Sequence, residues 1–311
     1  MSNWLTYSPT SGQGNGIITI TADTLSELEE RTATIVASNS QYGVSDSVLI
    51  TQYKASPTLL TPLTFNILSA GTINWTASDA SIAKTIDYKL NNNEWTSITS
   101  TRLGVAINVV EGDKIQFRGN NTQYATNSDY NSFGGSTASF EVEGNIMSLI
   151  YGDNFKDNST INDYAFLGLF DYCLNLVSAQ NLVLPATTLA QGCYRGMFSG
   201  CASLTTAPAL PATTLADDCY VSMFHGCTSL KTAPELPATD LVYYCYYEMF
   251  RDCKSLNYIK CLATYTSASN CTTSWVKGVA STGMFVQNNA MTDWGIGDHG
   301  IPSGWTVTNA S

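Results

Sequence analysis

The 311-residue sequence is short of charge, of histidine, of long apolar runs and, in its first half, of cysteine. Only 13% of residues are charged, and 14 Lys and Arg face 25 Asp and Glu for a net charge of −11. With no basic cluster there is little to neutralise phosphates, so neither nucleic acid nor an anionic membrane surface is an expected partner. No window approaches the roughly 18 apolar residues of a membrane span, so no membrane insertion is expected. Met1-Ser2-Asn3-Trp4 leads straight into a strand-like pattern, without the basic start and apolar core of a secretory signal. A chain with this start that works outside a cell either had a signal removed or leaves by another route, such as lysis.

Catalytic signatures are missing as well. The two histidines, His225 and His299, have no His, Cys or carboxylate at ligand or triad spacing. The G-x-S-x-G elbow, the P-loop and the dinucleotide glycine fingerprint do not occur. The stretch 153–158 (DNFKDN) starts like a calcium loop, but Asn158 and Tyr164 stand where Gly and Glu are needed. No catalytic residue, cofactor or metal is expected, and the chain reads as non-enzymatic.

What is present is a repeat. At a period of 26 residues, 184–261 falls into three rows: LPATTLAQGCYRGMFSGCASLTTAPA, LPATTLADDCYVSMFHGCTSLKTAPE and LPATDLVYYCYYEMFRDCKSLNYIKC. A degenerate fourth row precedes them, with Leu169-Phe170, Cys173 and Leu176 shifted by 28. A fixed period of this size predicts stacked units, each unable to bury its apolar face alone. Within 216–224, Cys219, Met223 and Phe224 at i, i+4 and i+5 predict one face of a short helix, with Asp217-Asp218 at its start and Gly226 at its stop. Residues 229–233 predict a short extended piece with Leu230 inward, bounded by Pro234 and Pro237. These rows resemble BspA-like leucine-rich repeats over roughly 155–261. The resemblance implies a narrow parallel sheet backed by helices, used for binding and adhesion rather than catalysis.

All nine cysteines lie at or after position 173. Seven occupy two repeat columns: Cys193, Cys219 and Cys245 in one, and Cys173, Cys201, Cys227 and Cys253 in the other. A disulfide ladder or a metal-ligand set is one reading; compact buried thiols filling a core is the other. The odd count, the absence from the first half and the C-x7-C spacing favour buried thiols. Cys261 and Cys271 fall outside the columns and are a possible pair.

The tyrosines divide in the same way. Tyr194, Tyr220 and Tyr246 share a column and predict a packed ladder. Tyr243, Tyr244 and Tyr247 instead occupy columns where other rows carry Gln191 and Asp217, Gly192 and Asp218, and Arg195 and Val221. Columns that admit charge face water, so these three predict an exposed aromatic cluster, either a contact site or cover for the end of the chain. In that tail, 274–307, the period breaks and Trp275, Phe285, Trp294 and Trp305 suit a cap over the last apolar face. The ending GIPSGWTV is similar to the endings of BspA-like proteins of Bacteroidetes and their prophages.

Residues before the repeats alternate with period two. Strands are predicted at 4–7, 16–21, 32–36 and 47–52, then, after a linker at 55–58, at 63–67, 73–75, 86–90, 94–98, 105–109, 114–118 and 138–142. The order WLTxSPTSG, GNGxITITAD, ERTATI and VxITQ over 2–53 resembles the BACON domain, an immunoglobulin-like module of gut Bacteroidetes and of phages that infect them. That resemblance implies a carbohydrate role but assigns no glycan site; Trp4 and Tyr7 either stack on sugars or pack at the sandwich edge. The second set, through NEWTSI and EGDKIQFRG, is similar to Ig-like modules that precede BspA-type repeats. Its long polar loop, 120–136, carries Tyr124, Tyr130 and Phe133 as a candidate contact surface.

The expected fold is multi-domain and β-rich: a BACON-like β-sandwich (1–55), an Ig-like β-sandwich (56–147) and a short α/β leucine-rich-repeat solenoid (148–311) whose cap is 262–311. The expected role is a structural and adhesive protein of a phage virion, as in virion proteins of crAss-like phages: a head or tail fibre or a capsid decoration. Expected partners are capsid or fibre subunits, further copies of itself, and a host surface glycan or protein, with the virion surface as location. A bacterial cell-surface or secreted glycan-binding adhesin is the alternative.

Overall fold

The computed structural model describes residues 57–291 and 294–310, together with the strands at 5–8, 19–22, 31–39 and 44–52. The chain divides into two compact units, Met1–Pro57 and Thr58–Ser311. In the first, β1 (Leu5–Ser8) pairs antiparallel with β2 (Thr19–Ala22), and β3 (Arg31–Asn39) with β4 (Val44–Gln52). Trp4 lies outside the described residues.

The second unit begins with alternating strands that put one face inward. These are β5 (Leu63–Ile67), β6 (Gly71–Ala77), β7 (Thr85–Leu90), β8 (Thr96–Thr99), β9 (Val105–Val109), β10 (Lys114–Arg118), β11 (Asn131–Ser132) and β12 (Phe140–Asn145). Tight turns set their register. Asn91 takes φ 53° after β7, and Gly112 takes φ 88° between β9 and β10, conformations that favour Asn and Gly. Two sheets result, β11-β6-β9 and β13-β12-β5-β10-β7-β8, where β13 is Leu176–Val183. Their inner side chains meet as an aromatic cluster: Phe65 lies 4.8–4.9 Å from Phe117, Phe133 and Phe140, and Trp75 lies 4.9 Å from Phe133. Burying each such ring contributes about 1.5–3 kcal/mol relative to leaving it in water.

The boundary expected at 147/148 is crossed by both sheet and core. β12 runs parallel to β13, from Phe140↔Leu176 to Asn145↔Val183. Phe170 of the degenerate row stands 5.9 Å from Phe65 and 5.8 Å from Phe133. From there ring contacts continue through the rows: Phe170, Phe198, Phe224 and Phe250 succeed one another at 5.2–5.7 Å, and Trp275 follows at 6.2 Å. A second series runs Tyr124, Phe166, Tyr194, Tyr220, Tyr246 and Trp275 at 5.9–6.3 Å. All nine cysteines are free and buried; Cys261 and Cys271 are not paired.

The helix expected at 216–224 does not form. In its place every fourth residue is left-handed: Gly192, Gly196 and Gly200; Asp218, Ser222 and Gly226; Tyr244, Glu248 and Asp252. Amides alternate between two acceptors. Cys193, Arg195, Met197 and Ser199 donate three residues back within the row, whereas Gly192, Tyr194, Gly196, Phe198 and Gly200 donate to carbonyls 25 residues ahead. A helix would close all these bonds internally; here half of them join one row to the next. Asp217-Asp218 therefore caps no helix.

Short parallel strands close the chain: β14 (Tyr258–Cys261), β15 (Met284–Gln287) and β16 (Thr306–Asn309). Trp275 and Phe285 are buried behind them, with Trp294 5.5 and 5.3 Å away. Indole N–H groups of Trp275 and Trp305 donate to the carbonyls of Gly300 and Ala280 at 2.8 and 2.7 Å, which fixes rings that have a polar edge to satisfy. Buried area is thus supplied by aromatic residues where the period ends.

Candidate functional site

Row 236–261 departs from its neighbours at 243–247, and the backbone explains which side chains turn outward. Cys245 and Tyr246 point into the core. Tyr244 is left-handed, at φ 54°, a conformation rare for a bulky residue. Its N–H donates to Ser269 one row on, and Tyr247 N–H donates back to the Tyr244 carbonyl at 3.1 Å. These constraints bring Tyr243, Tyr244 and Tyr247 together: ring centroids are 4.3 Å apart for the first pair and 4.8 Å for the second. Tyr243 is 48% exposed, and Tyr244 and Tyr247 are half-buried. The same position is left-handed in the neighbouring rows, at Tyr164, Gly192, Asp218 and Asn270, so the row architecture imposes this conformation, and the row at 243–247 carries an aromatic side chain on it where the rows on either side carry Asp218 and Asn270.

The surroundings are acidic. The Tyr243 hydroxyl is held above its ordinary range, first by partial desolvation, then by Tyr244 and the carboxylates of Asp218 and Asp217. Tyr247 is raised chiefly by the charge of Glu248, which also pairs with Arg251. Both phenols therefore stay protonated across the neutral range and offer O–H donors beside ring faces. His225 Nε2 lies 3.5 Å from Asp252 Oδ2, and Arg251 Nε 3.6 Å from the same atom, giving a charged margin to the aromatic patch. Such a surface can stack on apolar ring faces and bond hydroxyls; it holds no nucleophile paired with a base.

The other aromatic candidates lie elsewhere and behave differently. Tyr124 and Phe133, expected on an exposed contact loop, are fully buried, each 0% exposed. The loop 120–136 folds its aromatic side chains into the junction between the strands and the first row, where apolar area is to be gained. Tyr124 donates from its hydroxyl to the Leu149 carbonyl at 2.6 Å. Tyr130 is half-buried over Gly168, and its hydroxyl donates to Asp171 Oδ2 at 2.6 Å. Desolvation pushes the Asp171 carboxyl up despite that bond. These three residues secure a junction and do not join the patch at 243–247.

Features that the sequence reading did not single out include Tyr172, 64% exposed and packed on Gly200, and Arg118, held between Asp87 and Asp153. Arg118 ends a period-two strand on an outward position, so its pattern gave no signal. Asp153 drew attention only as a calcium ligand; it pairs with Arg118, and among the described residues no group of three or more His, Cys, Asp or Glu is placed to hold a metal.

No curated protein and no solved structure matches the chain. Residues 2–53, about a sixth of its length, match the family described as "BACON: Putative binding domain, N-terminal".

Proposed function

We propose that this chain is a non-enzymatic attachment protein of a phage virion, a head or tail fibre subunit or a capsid decoration. In this reading residues 56–147 are an Ig-like sandwich, and 148–311 form a leucine-rich-repeat solenoid capped by 262–311. The solenoid presents the Tyr243, Tyr244 and Tyr247 patch to a host surface glycan. The observation that carries the reading is that patch: three touching tyrosines, Tyr243 among them 48% exposed, beside Asp217 and Asp218 of the row before. The family description of residues 2–53 as a binding domain supports a second point of attachment in the same chain. Capsid or fibre subunits and further copies of the chain are the remaining partners, since fibres are built by symmetric association.

A glycan array probed with the full chain tests the patch. The double variant Tyr243→Ala, Tyr247→Ala is expected to lose about tenfold or more in apparent affinity for whatever the parent binds, equal to ~1.4 kcal/mol. Undiminished binding by the double variant would remove the patch from the proposal. Mass spectrometry of purified particles tests location: absence of the chain from particles, with polysaccharide-use genes as its neighbours, would favour a bacterial surface adhesin instead.

A further inference from the structure

A cleft of about 290 Å³ opens between β7, β10 and the 3-10 turn at Gly152–Asp157, lined by Asp87, Arg118, Gly119, Asn120, Gly152 and Asp153 among others. Arg118 is fixed there from three sides. Its Nε donates to Asp87 Oδ2 at 3.3 Å, its Nη1 to both oxygens of Asp153 at 2.8 and 2.9 Å, and its guanidinium lies 4.2 Å from the centre of the Trp95 ring. Asp87 is itself oriented by the Ser97 hydroxyl at 2.6 Å. The Asp153 side chain is 79% exposed, so this pairing adds little stability; its effect is to hold a planar donor fork still. Within that fork Nη2 meets no acceptor among the described residues, and the exposed Asn120 amide makes no hydrogen bond among them. Thr85, Ile86 and the two glycines Gly119 and Gly152 complete the lining. Gly119 lets the chain pass close to the buried Tyr124 hydroxyl, which a Cβ there would approach to 2.4 Å, and Gly152 takes φ +55° at the turn.

We propose that this cleft binds one neutral pyranoside ring of a saccharide. Two carboxylates around one guanidinium leave a net negative charge, which repels an anion, while the guanidinium at the centre repels a metal cation. A rigid ring with neighbouring hydroxyls fits both kinds of group, whereas a flexible polyol such as glycerol loses more freedom on binding. One hydroxyl accepts from Arg118 Nη2 and donates to Asp153; its neighbour exchanges hydrogen bonds with the Asn120 amide. The volume stands at the small end of ligand sites, enough for a single hexose. The site is separate from the tyrosine patch, so either can fail without the other.

Amide chemical shifts of the full chain, titrated with the methyl glycosides of glucose, galactose and mannose, test the assignment. Saturable shifts at Gly119, Asn120 and Gly152 are expected with at least one glycoside below about 50 mM, and none with inorganic phosphate or glycerol. Asn120→Ala should weaken that binding about fivefold with an unchanged unfolding midpoint, and Tyr243→Ala with Tyr247→Ala should leave it intact. No shift at the cleft with any glycoside, a response to phosphate or to glycerol equal to the glycoside's, or full binding by Asn120→Ala would each overturn the proposal.

Discussion

Left-handed residues recur four apart in each row, and the third of the 26-residue rows carries them on Tyr244, Glu248 and Asp252, where a Cβ is a liability. Gly196 has the same conformation at φ 58° with no close neighbour around its missing side chain. Gly196→Ala is therefore expected to cost about 1–2 kcal/mol in urea unfolding, a pure backbone effect. Tyr194 offers the opposite case. Its hydroxyl is buried without a partner among the described residues, so Tyr194→Phe should be neutral or stabilise by up to about 1–3 kcal/mol, the cost of an unmet polar group. The burial of Tyr194, Tyr220, Tyr246 and the column cysteines could be read from the sequence, because equal columns imply equal environments. The left-handed positions could not. The column Gly168, Gly196, Ser222, Glu248 and Ser274 mixes three residue types that share only their backbone angle.

Cys219, Met223 and Phe224 fit a helical face, yet the segment is a run of turns. Spacing held the clue. Cys219, Met223 and Cys227 are all buried at a strict interval of four, whereas four residues of α-helix overshoot a full turn by about 40° and drift off the face. The stretch 120–136 shows the limit of composition as a guide: its polar residues suggested a loop, but Asn131–Ser132 pair with β6, and Tyr124 and Phe133 are buried where strands and rows meet. Because Phe133 touches both Phe65 and Phe170, residues 58–311 should unfold as one cooperative block. Phe133→Ala is expected to cost about 3–5 kcal/mol and to shift a single transition for this block. Separate loss of the strand region alone, seen by hydrogen exchange, would contradict a shared core.

Across the whole molecule the thiols set an alkaline limit. Burial pushes Cys193, Cys245 and Cys261 from 9.0 up to about 12, and the other six are raised too. The unfolded chain gives up these protons near pH 9 while the folded chain keeps them, so stability is full below pH 9 and is lost as pH climbs towards 12. Each thiol contributes up to ~1.4 kcal/mol per pH unit in that window. The urea midpoint should accordingly fall steeply between pH 8.5 and 10.5 (roughly the onset of thiol ionisation). An unchanged midpoint would mean that the thiols reach water. Amides of one row also find their carbonyls 25 residues on, and Phe198 and Phe224 stand 5.5 Å apart. An in-frame duplication of residues 210–235 would thus slot between its parents with donors and acceptors already matched. Length in this chain is a counted quantity: copying one segment of the gene lengthens the protein by a fixed increment and leaves both extremities as they were.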